Sequence, residues 1–192
     1  MNSIVREQIQ KWISEHETFK RLLVEVEKQA AIFDRGASVD YDLMLSVVYY
    51  MTEYPDKFHH PTEDVLFNHL ATRDKKANAA IDQLHHEHRV IAESGMALRQ
   101  QLDAVVNGVM ASRAAVIRPL QRYVQFFRRH MKNEETIVFP IAREILSDSD
   151  WELAYLCPAK CPSPLFGKGV RERYRSLRKQ IAADVYCTCS TT

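Results

Sequence analysis

Histidines stand out among the side chains of this sequence that could do chemistry, with eight in 192 residues. Four of them fall near the middle of long helical patterns, inside the apolar stripe of each pattern. These four are His16, His59, His88 and His130. Because imidazole nitrogens are common ligands of transition metals, four of them inside one helical protein would suit a metal site.

Two of these histidines are followed four residues later by a glutamate, His59 by Glu63 and His130 by Glu134. Residues four apart share one face of a helix, so each glutamate would also point into the protein. A buried ionised carboxylate is costly unless it is paired or binds a metal. Since a carboxylate can bridge two cations, four histidines and two glutamates predict a two-metal site.

Iron suits this donor set best. With both glutamates bridging, each metal would hold two histidines and two carboxylate oxygens. An octahedral ion would keep open positions for an oxo or hydroxo bridge, O₂, NO or peroxide. Iron fits such a nitrogen- and oxygen-rich site, whereas zinc more often closes as a tetrahedron. The predicted cofactor is therefore two iron ions, joined by an oxo or hydroxo bridge.

An internal repeat supports the choice of these histidines. Glu15-His16 returns as Glu87-His88, and residues 59–64 resemble residues 130–135. The matching histidines are 72 residues apart in the first case and 71 in the second. Two matches at nearly one separation indicate two related helical hairpins, packed about a pseudo-twofold axis.

The other histidines are given lesser roles. His60 has a carboxylate four residues on, at Asp64, so only the apolar stripe and the repeat favour His59 over it. His85 lies one turn before His88 and is either a fifth imidazole ligand or, as favoured here, a residue supporting a ligand. Helix-surface or supporting positions are expected for His60, Asp64, His86 and Glu135, and a surface position for His69.

Four long helical patterns, over residues 2 to about 147, would position the site. The first ends near Gly36 and the second begins after Asp40. Pro55 and Pro61 interrupt the second pattern; each removes a backbone donor and should bend or break the helix. Short polar connections favour an up-down-up-down bundle.

The fold class is thus all-α: a four-helix bundle in residues 1–147 and a C-terminal extension in residues 148–192. The extension should be irregular to about residue 168, with a short basic helix over about 170–185. The role of its cysteines stays open: they could form a second, zinc-type site, act as redox-active thiols or be ordinary surface cysteines. Their spacing is not a strong zinc signature. They are Cys157, Cys161, Cys187 and Cys189.

Composition excludes several other classes. The net charge of +1 argues against a dedicated nucleic-acid partner. Five glycines and seven prolines are too few for a β-sandwich, a barrel or a disordered linker protein. No apolar run approaches the ~18–20 residues that span a bilayer, and the N-terminus lacks a signal-peptide pattern. A cytoplasmic location without membrane contact is expected.

The site residues resemble those of the haemerythrin-like (HHE cation-binding) domain family, over about residues 5–147. The resemblance is carried by Glu15-His16, Glu87-His88 and the segments 58–67 and 130–135. It implies a four-helix bundle that holds a non-haem di-iron centre. The implied division of ligands is His16 and His59 for one iron, His88 and His130 for the other, and Glu63 and Glu134 as bridges.

One departure from the family bears on function. Its oxygen-carrying members have five histidines, with His-x-x-x-His on the third helix and His-x-x-x-x-Asp on the fourth. Here Arg89 stands where a partner for His85 would fall, and the fourth helix offers Glu134, with Glu135 at the aspartate position. The four-His, two-Glu pattern resembles iron or oxygen sensors and proteins that handle NO, peroxide or damaged iron–sulfur clusters.

The expected function is therefore a di-iron protein that binds, senses or reacts with O₂, NO or peroxide, or that senses iron. One alternative is an enzyme, either a di-iron peroxidase or an NO-detoxifying or iron–sulfur repair enzyme. Another is a metal-free helical interaction bundle, in which His16 and His88 would be ordinary buried polar groups. Enzymatic status, metal identity and homo-oligomerisation stay open.

Overall fold

The computed structural model describes residues 3–156, which form helices joined by short connections. The α-helices are α1 (Ser3–Asp34), α2 (Tyr41–Tyr54), α3 (His60–Arg73), α4 (Asn78–Val106), α5 (Arg113–Asn133), α6 (Phe139–Ile145) and α7 (Asp148–Leu156). Two π-helical turns continue the chain between helices, Pro55–His59 from α2 to α3 and Glu134–Val138 from α5 to α6, and a short 3₁₀ turn, Lys75–Ala77, precedes α4. No β-strand occurs within residues 3–156, so the all-α prediction is confirmed for this part of the chain.

The four predicted helical patterns correspond to α1, to α2 with α3, to α4, and to α5 with α6. Helix α1 contacts α2 and α5, and α4 contacts the same two helices, as in a bundle. The Asp40 carboxylate accepts a hydrogen bond from the Leu43 N–H at 2.8 Å and caps α2, an interaction typically worth about 1 kcal/mol. Gly36 adopts a φ of 78° after α1, which residues with a side chain rarely adopt. The alternating up-down direction stays a prediction.

Each π turn ends two residues before a proline. Pro61 has no N–H, and in a regular helix its ring would collide with the carbonyl four residues earlier. Instead the N–H of His60 bonds to the carbonyl of Pro55, five residues back. A second π turn ends just before Pro140, where the N–H of Phe139 also reaches five residues back. The expected break in the second helix is therefore a widened turn, a feature often found at functional sites.

Two apolar clusters fill the bundle, one on each side of a buried polar layer. The first includes Phe19, Leu23, Met51, Ile91, Leu120 and Phe127. The second includes Trp12, Leu66, Leu70, Leu84, Phe139 and Trp151. On α1, His16 lies between Trp12 of one cluster and Phe19 of the other. Burying an apolar side chain of this size contributes about 1.5–3 kcal/mol, so the clusters stabilise the helices that hold the polar layer.

Helix α7 packs on α1 and α3. Trp151 is buried against Trp12, with ring centroids 6.2 Å apart, and Arg73 donates a hydrogen bond to Asp150 at 2.9 Å. The expectation of an irregular segment is therefore wrong for residues 148–156. The remaining predictions for the extension, including its cysteines and basic helix, fall outside the described residues. No helix within residues 3–156 is both long and apolar enough to cross a membrane.

Candidate metal centre

All six predicted ligands are buried in the polar layer between the two apolar clusters. The most exposed of them is His88, with 6% of its surface accessible. Each of the four predicted helical patterns contributes. The set comprises His16 from α1, His59 from the first π turn, Glu63 from α3, His88 from α4, His130 from α5 and Glu134 from the second π turn.

His16 and His59 form one half of the site, with their Nε2 atoms 3.0 Å apart. Glu63 Oε1 lies 3.2 Å from the Nε2 of His59 and 3.9 Å from that of His16. Glu134 Oε2 approaches the same half, 3.3 Å from the Nε2 of His16. Two imidazoles and two carboxylate oxygens therefore converge here.

His88 and His130 form the other half. Glu134 Oε1 lies 3.3 Å from the Nε2 of His88 and 3.2 Å from that of His130. Glu63 Oε2 lies 3.9 Å from the Nε2 of His88. Each glutamate thus directs one oxygen toward each half, which is the arrangement expected of two bridging carboxylates.

An outer ring of carboxylates contacts the four histidines at their second ring nitrogen. Such a partner on Nδ1 orients the imidazole and leaves Nε2 directed inward, as is usual for metal-binding histidines. The four Nδ1 contacts are His16 with Glu135 at 2.8 Å, His59 with Glu15 at 2.6 Å, His88 with Asp64 at 2.8 Å, and His130 with Glu87 at 3.0 Å.

This outer ring follows the internal repeat. Within each hairpin, the glutamate that precedes the first histidine, Glu15 or Glu87, contacts the histidine of the second helix. The acid that follows each inner glutamate, Asp64 after Glu63 or Glu135 after Glu134, contacts a histidine of the opposite hairpin. The supporting role expected of Asp64 and Glu135 agrees with these contacts. Sequence reasoning missed the role of Glu15 and Glu87, although the repeated Glu-His dipeptide was a signal for it.

Three other histidines lie away from the centre of the site. His85 places its Nε2 3.4 Å from Asp64, which also contacts His88, but that nitrogen makes no hydrogen bond. The supporting role of His85 stays a prediction. His86 is exposed. His69 lies on the far side of α3, 3.7 Å from Asp150.

His60 is buried, so of its two expected positions the helix-surface one is wrong, and the supporting one stays a prediction. Only 3% of its surface is exposed, and its ring stacks on that of His88 with centroids 4.3 Å apart. Its buried Nε2 has no hydrogen-bond partner. Sequence reasoning preferred His59 as the ligand and therefore missed that both neighbouring histidines enter the site.

The two inner glutamates differ in their tendency to ionise. Burial and the nearby Glu134 carboxylate raise the pKa of Glu63 well above its usual value. Burial also opposes ionisation of Glu134, but His130 and the other facing histidines hold its pKa well below the usual value. Like charges this close disfavour joint ionisation, so both carboxylates ionise together only beside compensating cations.

Two of the histidines in the layer, His59 and His130, also differ in the direction of their pKa shifts. Burial opposes protonation of His130, yet Glu134 and Glu87 raise its pKa to about 9. Burial lowers the pKa of His59 to about 4 despite its hydrogen bond with Glu15. The two histidines are equivalent in the repeat, so their opposite shifts reflect their surroundings: His130 faces the readily ionised glutamate.

Several inner atoms have no hydrogen bond of suitable geometry, namely both carboxylate oxygens of Glu63, Oε2 of Glu134 and the Nε2 atoms of His60 and His130. A buried polar atom without a partner costs about 1–3 kcal/mol. These atoms are the nitrogen and oxygen donors that iron accepts. Three sets of donor atoms lie within 4.8 Å of one another: His16, His59 and Glu63; Glu63, His88 and Glu134; and His60, His88 and His130. The residues therefore fit a metal site.

Comparison with protein families agrees with this geometry. The model of the Hemerythrin HHE cation binding domain matches residues 7–142, which include all six predicted ligands. The chain belongs to this family, and the resemblance found from its motifs is confirmed. No curated protein and no solved structure matches the chain.

Proposed function

We propose that this protein is a non-haem di-iron protein that binds, senses or reacts with O₂, NO or peroxide, or senses iron itself. One iron position is formed by His16 and His59 and the other by His88 and His130. Glu63 and Glu134 bridge them. The observation that carries the proposal is that each of these glutamates directs one oxygen toward each pair of histidines.

Iron supplies, when bound, redox chemistry toward small ligands that contain oxygen or nitrogen. The chain's own residues orient the donors and keep water away. The outer carboxylates hold each imidazole with Nε2 inward. Trp12 and Phe139 stack on one side of the layer, with ring centroids 5.4 Å apart, and Phe139 also stacks on His16. Phe19 and Phe127 close the other side.

The donor set favours iron over a closed zinc site. Each position offers two imidazoles and two carboxylate oxygens from the predicted ligands, and an octahedral ion keeps positions open for an exogenous ligand. Structural zinc usually closes as a tetrahedron.

A cytoplasmic location and self-association stay predictions.

The test is anaerobic iron loading, with metal analysis and visible spectra before and after exposure to O₂, NO and peroxide. We expect about two irons per chain. A stable oxygenated species would indicate carriage, and catalytic turnover of NO or peroxide would indicate the enzyme. Replacing His59 with Ala should lower the bound iron, whereas replacing the exposed His86 with Ala should not.

A metal content well below about one per chain after careful loading would contradict the proposal. Unchanged or increased stability of His16→Ala and His88→Ala, combined with that low content, would support the metal-free interaction bundle instead.

A further inference from the structure

His60 follows a predicted ligand directly, yet it faces the other half of the site. The ring of His59 meets that of His16, with centroids 4.9 Å apart. The ring of His60 instead stacks on His88 at 4.3 Å and meets His130 edge-on at 5.4 Å. Where the first π turn joins α3, two neighbouring imidazoles therefore face opposite halves of the layer.

His60 has a donor atom in the right place. Its Nε2 is buried without a hydrogen-bond partner. One ring nitrogen of His60, one of His88 and one of His130 lie within 4.8 Å of one another. A buried imidazole that serves only for packing would leave this nitrogen unsatisfied, at a cost in stability.

A carboxylate, that of Asp56, also lies beside His60, although without the hydrogen-bond geometry of the four outer contacts. Its Oδ1 lies 3.3 Å from the Nδ1 of His60, one turn earlier on the same segment. The side chain of Asp56 is only 12% exposed. His60 therefore has a carboxylate beside its Nδ1 and, like the predicted ligand His130, a buried Nε2 without a hydrogen-bond partner.

The second hairpin has no equivalent pair. The residues that occupy the positions of His60 and Asp56 in the repeat are Met131 and Phe127, 71 residues further on. Both are fully buried in the first apolar cluster. The thioether and the phenyl ring offer no imidazole nitrogen to the His16 half.

We propose that His60, supported by Asp56, is a third imidazole ligand of the metal position formed by His88 and His130. This inference rests on the proposed di-metal site. One position then has three imidazoles and the other two, so the first equivalent of metal fills the three-histidine position.

The test is a titration of the metal-free protein with Co²⁺, followed by calorimetry and by the visible absorption of the bound ion. Wild-type protein should bind in two unequal steps, the first tighter by about tenfold or more. His60→Met places in the first hairpin the residue found in the second, and it should weaken the tighter step by about tenfold or more and change its absorption. Asp56→Asn should weaken the same step less. His86→Ala, which changes an exposed histidine, is the matched control.

The outcomes separate the two ideas. If wild-type protein binds no metal, the proposed function fails and this inference falls with it. If wild-type protein binds two ions and His60→Met leaves both steps and the absorption unchanged, His60 only packs against His88 and the inference alone is overturned. Should His60→Met fail to fold, Mössbauer spectra of ⁵⁷Fe-loaded wild-type protein decide: two distinct doublets of equal area support the inference, and a single doublet overturns it.

Discussion

The two helical hairpins, α1 to α3 and α4 to α6, carry the same inner residues in different surroundings. In each hairpin a Glu-His dipeptide on the first helix pairs with His-x-x-x-Glu on the second. Where the first hairpin has His60 and Asp56, the second has Met131 and Phe127. The shared positions specify which donors meet in the layer, and the unshared positions make its two halves unequal.

The hairpins also differ in where their helices widen. In the first, the π turn Pro55–His59 ends at the histidine; in the second, the π turn Glu134–Val138 begins at the glutamate. Each π turn is followed by a proline, Pro61 or Pro140, in the first turn of the next helix, where its missing N–H is tolerated. The repeat therefore preserves the donor residues, whereas the backbone conformation beside them differs between the two hairpins.

The largest difference is expected between the two inner glutamates, Glu63 and Glu134, in the metal-free protein. Glu134→Gln removes the ionised partner of several buried histidines and should lower the free energy of unfolding by about 3 kcal/mol. Glu63→Gln should cost much less, because burial and Glu134 raise the pKa of Glu63 and favour its neutral form. Urea unfolding at pH 7 measures both. Equal losses of unfolding free energy in the two variants would contradict the expected difference between the two glutamates.

The supporting glutamates should behave alike. Glu15→Gln weakens the hydrogen bond with His59, and Glu87→Gln weakens the hydrogen bond with His130. Each substitution should lower metal affinity by about 10–100-fold. Competition with a chelator measures the loss, and Glu144→Gln, at an exposed position, is the control. A large effect at one position alone would show that the pseudo-twofold relation does not extend to function.

The next largest effect is expected from close helix packing at Gly95 in the second hairpin. Gly95 of α4 occupies the repeat position of Leu23, which is buried. A Cβ at Gly95 would lie 2.8 Å from Cγ2 of Thr52 and 3.2 Å from Cε2 of Tyr123. Gly95→Ala should therefore lower stability by about 1–3 kcal/mol, measured by thermal unfolding, with metal content unchanged. Unaltered stability would contradict this close approach.

The smallest effect should come from α7, which packs on α1 and α3. Burial opposes ionisation of Asp150, but hydrogen bonds from Ser147 and the Arg73 guanidinium lower its pKa from 3.8 to about 2. Its carboxylate thus stabilises the folded state above about pH 4, and that contribution fades as the pH falls toward 2. Asp150→Asn should cost about 1 kcal/mol at pH 7.

Unfolding of Asp150→Asn and wild-type protein should be compared at neutral pH and near pH 2.5, where the difference in stability between the two should be clearly smaller. Substituting the exposed Asp148, also in the first turn of α7, provides the control. A difference that stays constant across this range would exclude the proposed role of the Asp150 carboxylate.

Much of the site could be predicted because its residues obey helical spacing. His59 and Glu63, four residues apart, had to share a helix face, and the repeat identified the matching pair on the fourth helix. The same reasoning could not decide that His60 is buried as well. Neighbouring residues of a regular helix point about 100° apart, so which of two histidines enters a core depends on the packing of other helices and on the π turn.

The start of the extension was missed for another reason. Ser147 and Asp150 exchange hydrogen bonds across the first turn of α7, as in a capping box. That signal is short and lies in a polar stretch. The helix is held in place by Trp151 against Trp12, a contact between residues far apart in the chain, which local patterns do not reveal.

The polar layer divides the hydrophobic interior into two separate clusters, and this couples the stability of the fold to what the layer holds. A ligand that binds the folded layer but not the unfolded chain raises the free energy of unfolding by RT ln(1 + [L]/Kd). A hundredfold excess over Kd corresponds to about 2.7 kcal/mol. The melting temperature of this protein should therefore report, without any spectroscopic label, how full its centre is.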